Sequence, residues 1–464
     1  MLRPGQIIAL CVLALLTIGV VMVNSADMRV VAPGPDGVAT QVLSAQDILL
    51  SRTSIYMGLA VLAMTVAAFL PVRVLADRAM AIADVKRSPR RVYGLLLVGA
   101  VGLVVACALV YVPGLGSEKN GSHRWLAIPG MGGENGLSVQ PSEIAKWGMV
   151  GLMAWYCTAL GTKMRDDGSA DDLASHGITK FWTGLVPALI AIGAVAGFIV
   201  LEDLGTGALV GAVACLVLLG AGARWRQFAL FVPFGVAAVV AAILTSDYRV
   251  KRILAFVNPY EDPEGIGYHT IQSLMAVANG GGWGRGLGHG LQKFSYLPEG
   301  RTDFIFAIIC EELGIAGAAV VVVLFTVLLF AGLAVMRRER QPMLRLVALG
   351  VISTVIMQAM INLLVVTGLA PTKGIALPLL SSGGTGWILT AFSLGLVIAI
   401  DRTAAQEFSA LTAVQDDATD VVRSGVPAVV GGDSMVEMKP VTGEPAVMSG
   451  GADMGQSAAP VGSR

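Results

Sequence analysis

The chain has 464 residues, 55% of them hydrophobic and 14% charged, with 32 basic and 32 acidic side chains and no net charge at pH 7. An ordinary soluble domain carries roughly 25% charged residues, and the mean hydropathy here is +0.73, so water is not the main solvent of this protein. The zero balance offers no basic surface for a nucleic acid, and that class of partner is excluded.

Apolar runs of about 20 residues cross the hydrocarbon as helices, and shorter ones do so when flanking polar groups snorkel. In chain order the runs are 7–23, 56–72, 92–112, 144–160, 181–201, 204–223, 228–244, 304–336, 346–367 and 387–400. They predict an all-α polytopic membrane protein with about ten transmembrane helices. The first run has Arg3 before it and small residues near Ser25, as a signal peptide does, but its 17 residues exceed the usual signal core and favour a retained span. Cys11, Cys107, Cys157, Cys215 and Cys310 each fall inside an apolar run, without the close spacing of a zinc or redox motif, and read as small hydrophobes.

Lys and Arg in short loops are retained on the cytoplasmic side. Residues 73–91 hold Arg73, Arg78, Lys86, Arg87, Arg90 and Arg91; Arg224 and Arg226 follow the sixth run, and Arg337, Arg338, Arg340 and Arg345 the eighth. The alternate loops, 24–52, 113–142, the Glu202-Asp203 turn, 245–303 and 368–384, are then outside, and both termini cytoplasmic. Residues 1–403 read as a transmembrane domain with a large outer loop at 245–303. Residues 404–464, rich in Gly, Ala, Val, Ser and Asp without helical periodicity, read as a disordered cytoplasmic tail.

Ionisable residues in or beside spans are costly and mark functional sites by default. The first cluster is His123-Arg124-Trp125 with Gln140-Pro141-Ser142-Glu143 and Lys146, whose bland alternative is an interfacial belt of Trp and snorkelling bases. The second, Glu202 to Thr206, needs to be no more than a turn with a helix cap. The third, from Tyr248 to Asp303, holds Arg249, Arg252, His269, Gln272, Ser273, the glycine run 280–290 and Glu299. No register of that run gives GxGxxG and no GxxxxGK[ST] occurs, which argues against a nucleotide loop; glycines instead let backbone approach a ligand, a neighbouring helix or the membrane surface closely. The fourth is Asn362 with Gly368 to Gly374 and Leu377 to Gly384, where Lys373 lies on the predicted outer side against the positive-inside tendency.

Asp303 stands directly before Phe304-Ile305-Phe306, at the mouth of the eighth run. Desolvation would raise its pKa toward that of a general base, while a helix N-terminus would favour its charged form; sequence leaves that balance open. One outer carboxylate, Asp303, with the bases Arg124, Lys146, Arg249, Arg252 and Lys373, suits a membrane-borne acidic headgroup: the bases bind phosphate and the carboxylate handles a proton. Glu311, Glu312, Gln272 and Ser273 complete the candidate substrate-binding set. The two glutamates lie eight and nine residues beyond Asp303, facing either a polar cavity or another helix.

These blocks resemble the SEDS family (shape, elongation, division and sporulation), ten-span proteins that include FtsW and RodA. The resemblance runs from about Tyr93 to Asp401 and is carried by Asn258-Pro259, Gly267 to Ser273, Tyr296 to Glu299 with Thr302 to Phe306, Glu311 to Gly314, and Gly368 to Gly384. Gln292-Lys293 and Pro371 to Gly374 look more like the division branch, FtsW. The resemblance implies an inverting peptidoglycan glycosyltransferase that polymerises lipid II at the outer face of the bacterial cytoplasmic membrane. It also implies a class B penicillin-binding protein and other divisome membrane proteins as partners. A RodA-type elongation polymerase and a lipid II flippase are the alternatives. Carried over to this chain, Asp303 would deprotonate the acceptor 4-hydroxyl and the five bases would offset charge on the lipid pyrophosphate. Neither a cofactor nor a metal site is visible in the sequence; a divalent cation, Mg²⁺ or Mn²⁺, is chemically reasonable for a pyrophosphate leaving group and stays open. Ser382 stands where the family commonly has Tyr, Gly386 where a serine is usual, and Ser295 where FtsW relatives often carry an acid, and the loop 24–52 is longer than the family leads one to expect.

Overall fold

The computed structural model describes residues 2–27, 45–83, 89–119, 122–127, 138–162, 175–292, 297, 299–382 and 384–424. Expectations that fall on 28–44 of the loop after the first span, on Lys293 to Tyr296, on Pro298 and Gly383, and on 425–464 of the tail lie outside the described residues.

In chain order the helices are α1 (Pro4–Ala26), α2 (Ala45–Leu49), α3 (Arg52–Phe69), α4 (Val72–Ala83), α5 (Pro89–Ala108), α6 (Pro141–Thr162), α7 (Ser175–Ile178), α8 (Val186–Glu202), α9 (Leu204–Gly220), α10 (Trp225–Leu244), α11 (Asp247–Val257), α12 (Tyr268–Asn279), α13 (Ile305–Arg338), α14 (Pro342–Val366) and α15 (Thr385–Ser424). Among the described residues, eight are long and apolar enough to cross a membrane: α1, α3, α5, α8 with the π-helical turn before it, α10, α13, α14 and α15. The other two predicted runs also form helices: α6, with Glu143 and Lys146 in its first two turns, and the apolar 17-residue α9. Between α8 and α9 the chain turns at Asp203, whose carboxylate accepts Thr206 N–H at 3.1 Å and Thr206 O–H at 2.9 Å and so satisfies the free donors of the new helix.

Within residues 1–409, α1 packs along α13, α13 along α14, and α14 against α6 and α9, while α5, α6, α8 and α9 pack on one another. One apolar core is drawn mainly from α1, α13, α14 and α15, with Leu15, Leu16, Ile305, Ile308 and Leu394 fully buried. A second lies among α5, α6, α8 and α9, with Tyr156, Met153, Leu185 and Leu218 at its centre. By contrast, α10 buries none of its residues and packs chiefly on α11.

Two elements depart from the expectations. A small antiparallel sheet, ordered β1 (Gly116–Lys119), β2 (Ser122–Ala127) and β3 (Ser138–Val139), occupies the loop between α5 and α6, with Gly116 opposite Leu126 and Leu126 opposite Val139. Helix α15 continues to Ser424, past the point where a disordered tail was expected. Residues 404–424 contain no Gly or Pro, which lets the helical conformation continue through them.

Candidate active site

The site is assembled from chain segments that α14 holds together. Gln358 and Asn362 are four residues apart on that helix and therefore share a face. Asn362 Nδ2 donates to the carbonyls of Asp303 at 2.7 Å and Ile375 at 2.8 Å, and Gln358 Nε2 donates to Ala376 at 2.9 Å. The irregular 367–384 segment between α14 and α15 is thereby fixed beside the entry to α13, with polar backbone satisfied inside the protein, as a membrane setting requires. Ser382 N–H donating to the Arg301 carbonyl at 2.9 Å adds a further tie. Glu299 holds the loop before Asp303 in a left-handed conformation, φ 55°, with its carboxylate accepting Thr302 O–H at 2.7 Å and its carbonyl accepting Phe304 N–H at 3.2 Å. Such backbone outliers in non-glycine residues concentrate at functional sites.

These segments enclose a cavity of about 1120 Å³. Six of the ten predicted site residues line it: Asp303, Arg124, Lys146, Arg249, Arg252 and Lys373. Asp303 is half-buried, and while its carbonyl accepts Asn362 Nδ2, its carboxylate accepts no hydrogen bond from any described residue. Burial, reinforced by the charges of Glu299 and Asp203 and opposed by Arg252 and Arg124, pushes its pKa up to about 7. Desolvation therefore prevails over the helix terminus. The Lys373 ammonium makes no hydrogen bond to a described residue, and burial with the repulsion of Arg249 and Arg252 lowers its pKa, against the pull of Asp203.

The other bases are already engaged to different degrees. Arg252 lies 4.5 Å from the Tyr248 ring centroid, bonds the Tyr248 hydroxyl, and donates to the Thr372 carbonyl at 3.2 Å. Arg124, on β2, donates to the Glu202 carbonyl at 2.6 Å and lies 3.6 Å from the Asp203 carboxylate. Arg249 donates to Val200 at 2.9 Å and Leu201 at 3.0 Å, and to Ala242 at 2.9 Å, carbonyls near the ends of α8 and α10 that lack helical partners. Lys146 is only 2% exposed, and all three of its donors are used, at 2.8–2.9 Å, by Glu143 and Gln358. A phosphate contact for Lys146 is thus replaced by a structural one in the cavity wall.

Four predicted residues lie apart from the cavity. Gln272 and Ser273 are on α12, where Ser273 O–H donates to the Val366 carbonyl at 2.8 Å and ties that helix to α14. Glu311 and Glu312 are fully buried on the first turns of α13. Glu311 accepts the amides of Leu291 at 2.9 Å and Gln292 at 3.2 Å, and Glu312 those of Gly288 at 3.0 Å and Gly290 at 3.3 Å. Ser25 of α1 closes on both oxygens of Glu312 at 2.7 and 2.9 Å. Of the three uses open to the glycine run, approach to a neighbouring helix is the one observed: a side chain at Gly280 would meet the Cys310 carbonyl, and Gly314, at φ 66°, abuts Gly282 and Gly284. The substrate role expected of the two glutamates gives way to a clamp on that run.

Asp203, Glu299, His269 and Gln358 line the cavity without having been singled out as site residues. For Asp203 the signal was its position in a turn beside charge-free spans, where a cap alone explained it. Among the described residues, no group of three or more His, Cys, Asp and Glu side chains could hold a metal ion.

Fold and site together define a polytopic membrane protein whose one polar cavity holds a half-buried carboxylate unpaired among the described residues and partly free bases, the equipment for acid–base chemistry on an anionic lipid-borne substrate. Residues 6–406 match the profile of the FtsW/RodA/SpoVE family, described as cell cycle proteins, and the chain belongs to that family. It is 34% identical over 397 residues to a probable peptidoglycan glycosyltransferase FtsW of Geobacter metallireducens, covering 85% of this chain and 94% of that protein. It is 39% identical over 305 residues to stage V sporulation protein E of Bacillus subtilis, covering 65% and 78%. Among solved structures, a chain from work on the coordination of polymerization and crosslinking by a peptidoglycan synthase complex superposes with TM-score 0.58 at 26% identity, covering 86% of this chain and 98% of that one. The rod shape determining protein RodA of Thermus thermophilus shares the fold, with TM-score 0.52 at 24% identity over 85% and 95%.

Proposed function

We propose that this protein is an inverting peptidoglycan glycosyltransferase that polymerises lipid II at the outer face of the bacterial cytoplasmic membrane, in division. The observation that carries this is Asp303: a cavity carboxylate free of described hydrogen-bond donors, with a pKa near 7 and Arg252 and Lys373 in the same cavity. Near neutral pH it is poised to take a proton. The acceptor sugar 4-hydroxyl loses its proton to Asp303 as its oxygen attacks the anomeric carbon of the donor. The bond from that carbon to the lipid pyrophosphate breaks with inversion, and Lys373 and Arg252 offset the charge that the leaving group gains. The relatives named FtsW support the division role, and the likeness to the synthase-complex chain supports a class B penicillin-binding protein as partner. Other divisome membrane proteins belong to the same proposal. The deep pair Glu311–Glu312 would favour a transporter if it lined a path, but it is engaged by the glycine run.

The test compares wild type with Asp303→Asn, each purified with a transpeptidase-defective class B partner and given labelled lipid II, on a gel that resolves glycan chains. Polymer from wild type alone supports the assignment. Equal polymer from both overturns Asp303 as base, and no polymer from either, with lipid II crossing liposomes, replaces the transferase by a flippase.

A further inference from the structure

We propose that His269 contacts the substrate, donating a hydrogen bond from its imidazole Nε2–H to an uncharged oxygen of the acceptor saccharide beside Asp303. This rests on the transferase function proposed above. His269 stands in the first turn of α12, on the wall of the cavity that also holds Asp303, Glu299 and Arg252. Its ring stacks on Phe304, the residue after Asp303, with centroids 5.9 Å apart and planes 16° from parallel, and meets Tyr268 edge-on at 6.4 Å. Packing therefore fixes the ring, and no described residue hydrogen-bonds it.

Nδ1 is buried without a partner. A buried orphan N–H is rarer than a buried orphan acceptor, so the proton belongs on Nε2, the nitrogen that is not sealed off. Burial, with the charge of Arg252 and against that of Glu299, lowers the His269 pKa and keeps the ring neutral at neutral pH. A neutral donor has no advantage over the neighbouring cations in holding phosphate. It suits a sugar hydroxyl or acetamido oxygen, and its stacking on Phe304, the residue after Asp303, sets it beside the base.

The experiment measures initial rates against lipid II concentration for the full chain with its partner, as wild type, His269→Phe and His269→Gln, together with the melting temperature of each. Phe keeps the ring on Phe304 and removes both nitrogens; Gln restores a side-chain N–H near the position of Nε2. The expected result is a fall in kcat/KM of about tenfold for Phe at an unchanged melting temperature, with most of it recovered by Gln. Wild-type kcat/KM in the Phe variant, or a Gln variant no better than Phe, overturns the contact while leaving the transferase function intact. A wild type that makes no polymer overturns that function and this proposal with it.

Discussion

Asp303 and the pair Glu311–Glu312 lie within one short stretch of chain, eight and nine residues apart, and the fold treats them in opposite ways. The two glutamates are fully buried, and their oxygens accept four backbone amides and the Ser25 hydroxyl. The Asp303 side chain is half-buried and its carboxylate accepts nothing from the described residues, so the cost of desolvating its charge shows as a raised pKa. A carboxylate whose lone pairs are filled is fixed in place and builds the fold, whereas one left open in a partly dry cavity can exchange a proton with a ligand. The bases repeat the contrast. Lys146 has all three donors satisfied, while Lys373 has none engaged by a described residue.

The contrast breaks most visibly at Asp303. Asp303→Asn should lower the polymerisation rate by about 10²- to 10⁴-fold and leave the melting temperature in detergent no lower than wild type, since the buried charge is gone. In wild type the base must be ionised, so the rate should fall as pH drops through about 7; a pH–rate profile without an acid limb there would sink the assignment. Glu312→Ala should do the reverse, costing about 1–3 kcal/mol of stability for each buried donor it orphans, read as a lower melting temperature, while the molecules that stay folded keep a pH profile like that of wild type.

The lysines sharpen the comparison at a smaller scale. Lys373→Met should raise KM for lipid II by about 10- to 100-fold with little change in melting temperature, the value of one or two charge-assisted hydrogen bonds. Lys146→Met should instead lower the melting temperature, because Glu143 loses its partner in the cavity wall. The smallest effect is expected at Gly374, where an added Cβ would sit 3.1 Å from Asp303 Oδ2. Gly374→Ala should displace the carboxylate by a few tenths of an ångström and reduce kcat by about two- to tenfold, with KM nearly unchanged in the same rate assay.

The fold was legible where one residue at a time carries the energy. A run of apolar side chains is cheap in hydrocarbon and a charge is not, whatever surrounds them, so all ten predicted runs appear as helices. Asp303 was legible for the same reason, as an acid at the end of such a run. The short sheet was missed because its strands are too short and polar to carry a periodic signal, and the helical extension to Ser424 because its formers are not arranged by an apolar period.

The sequence by itself thus determined a many-helix membrane protein, its family resemblance, and the set of ionisable groups from which the site is drawn. Which of them are free was decided only by the tertiary structure. Lys146 meets Gln358 across 212 residues of sequence and Ser25 meets Glu312 across 287, and a carboxylate or ammonium is available for chemistry only if no such partner reaches it. The price of burying a charge is written in the residue, but what offsets it comes from elsewhere in the chain.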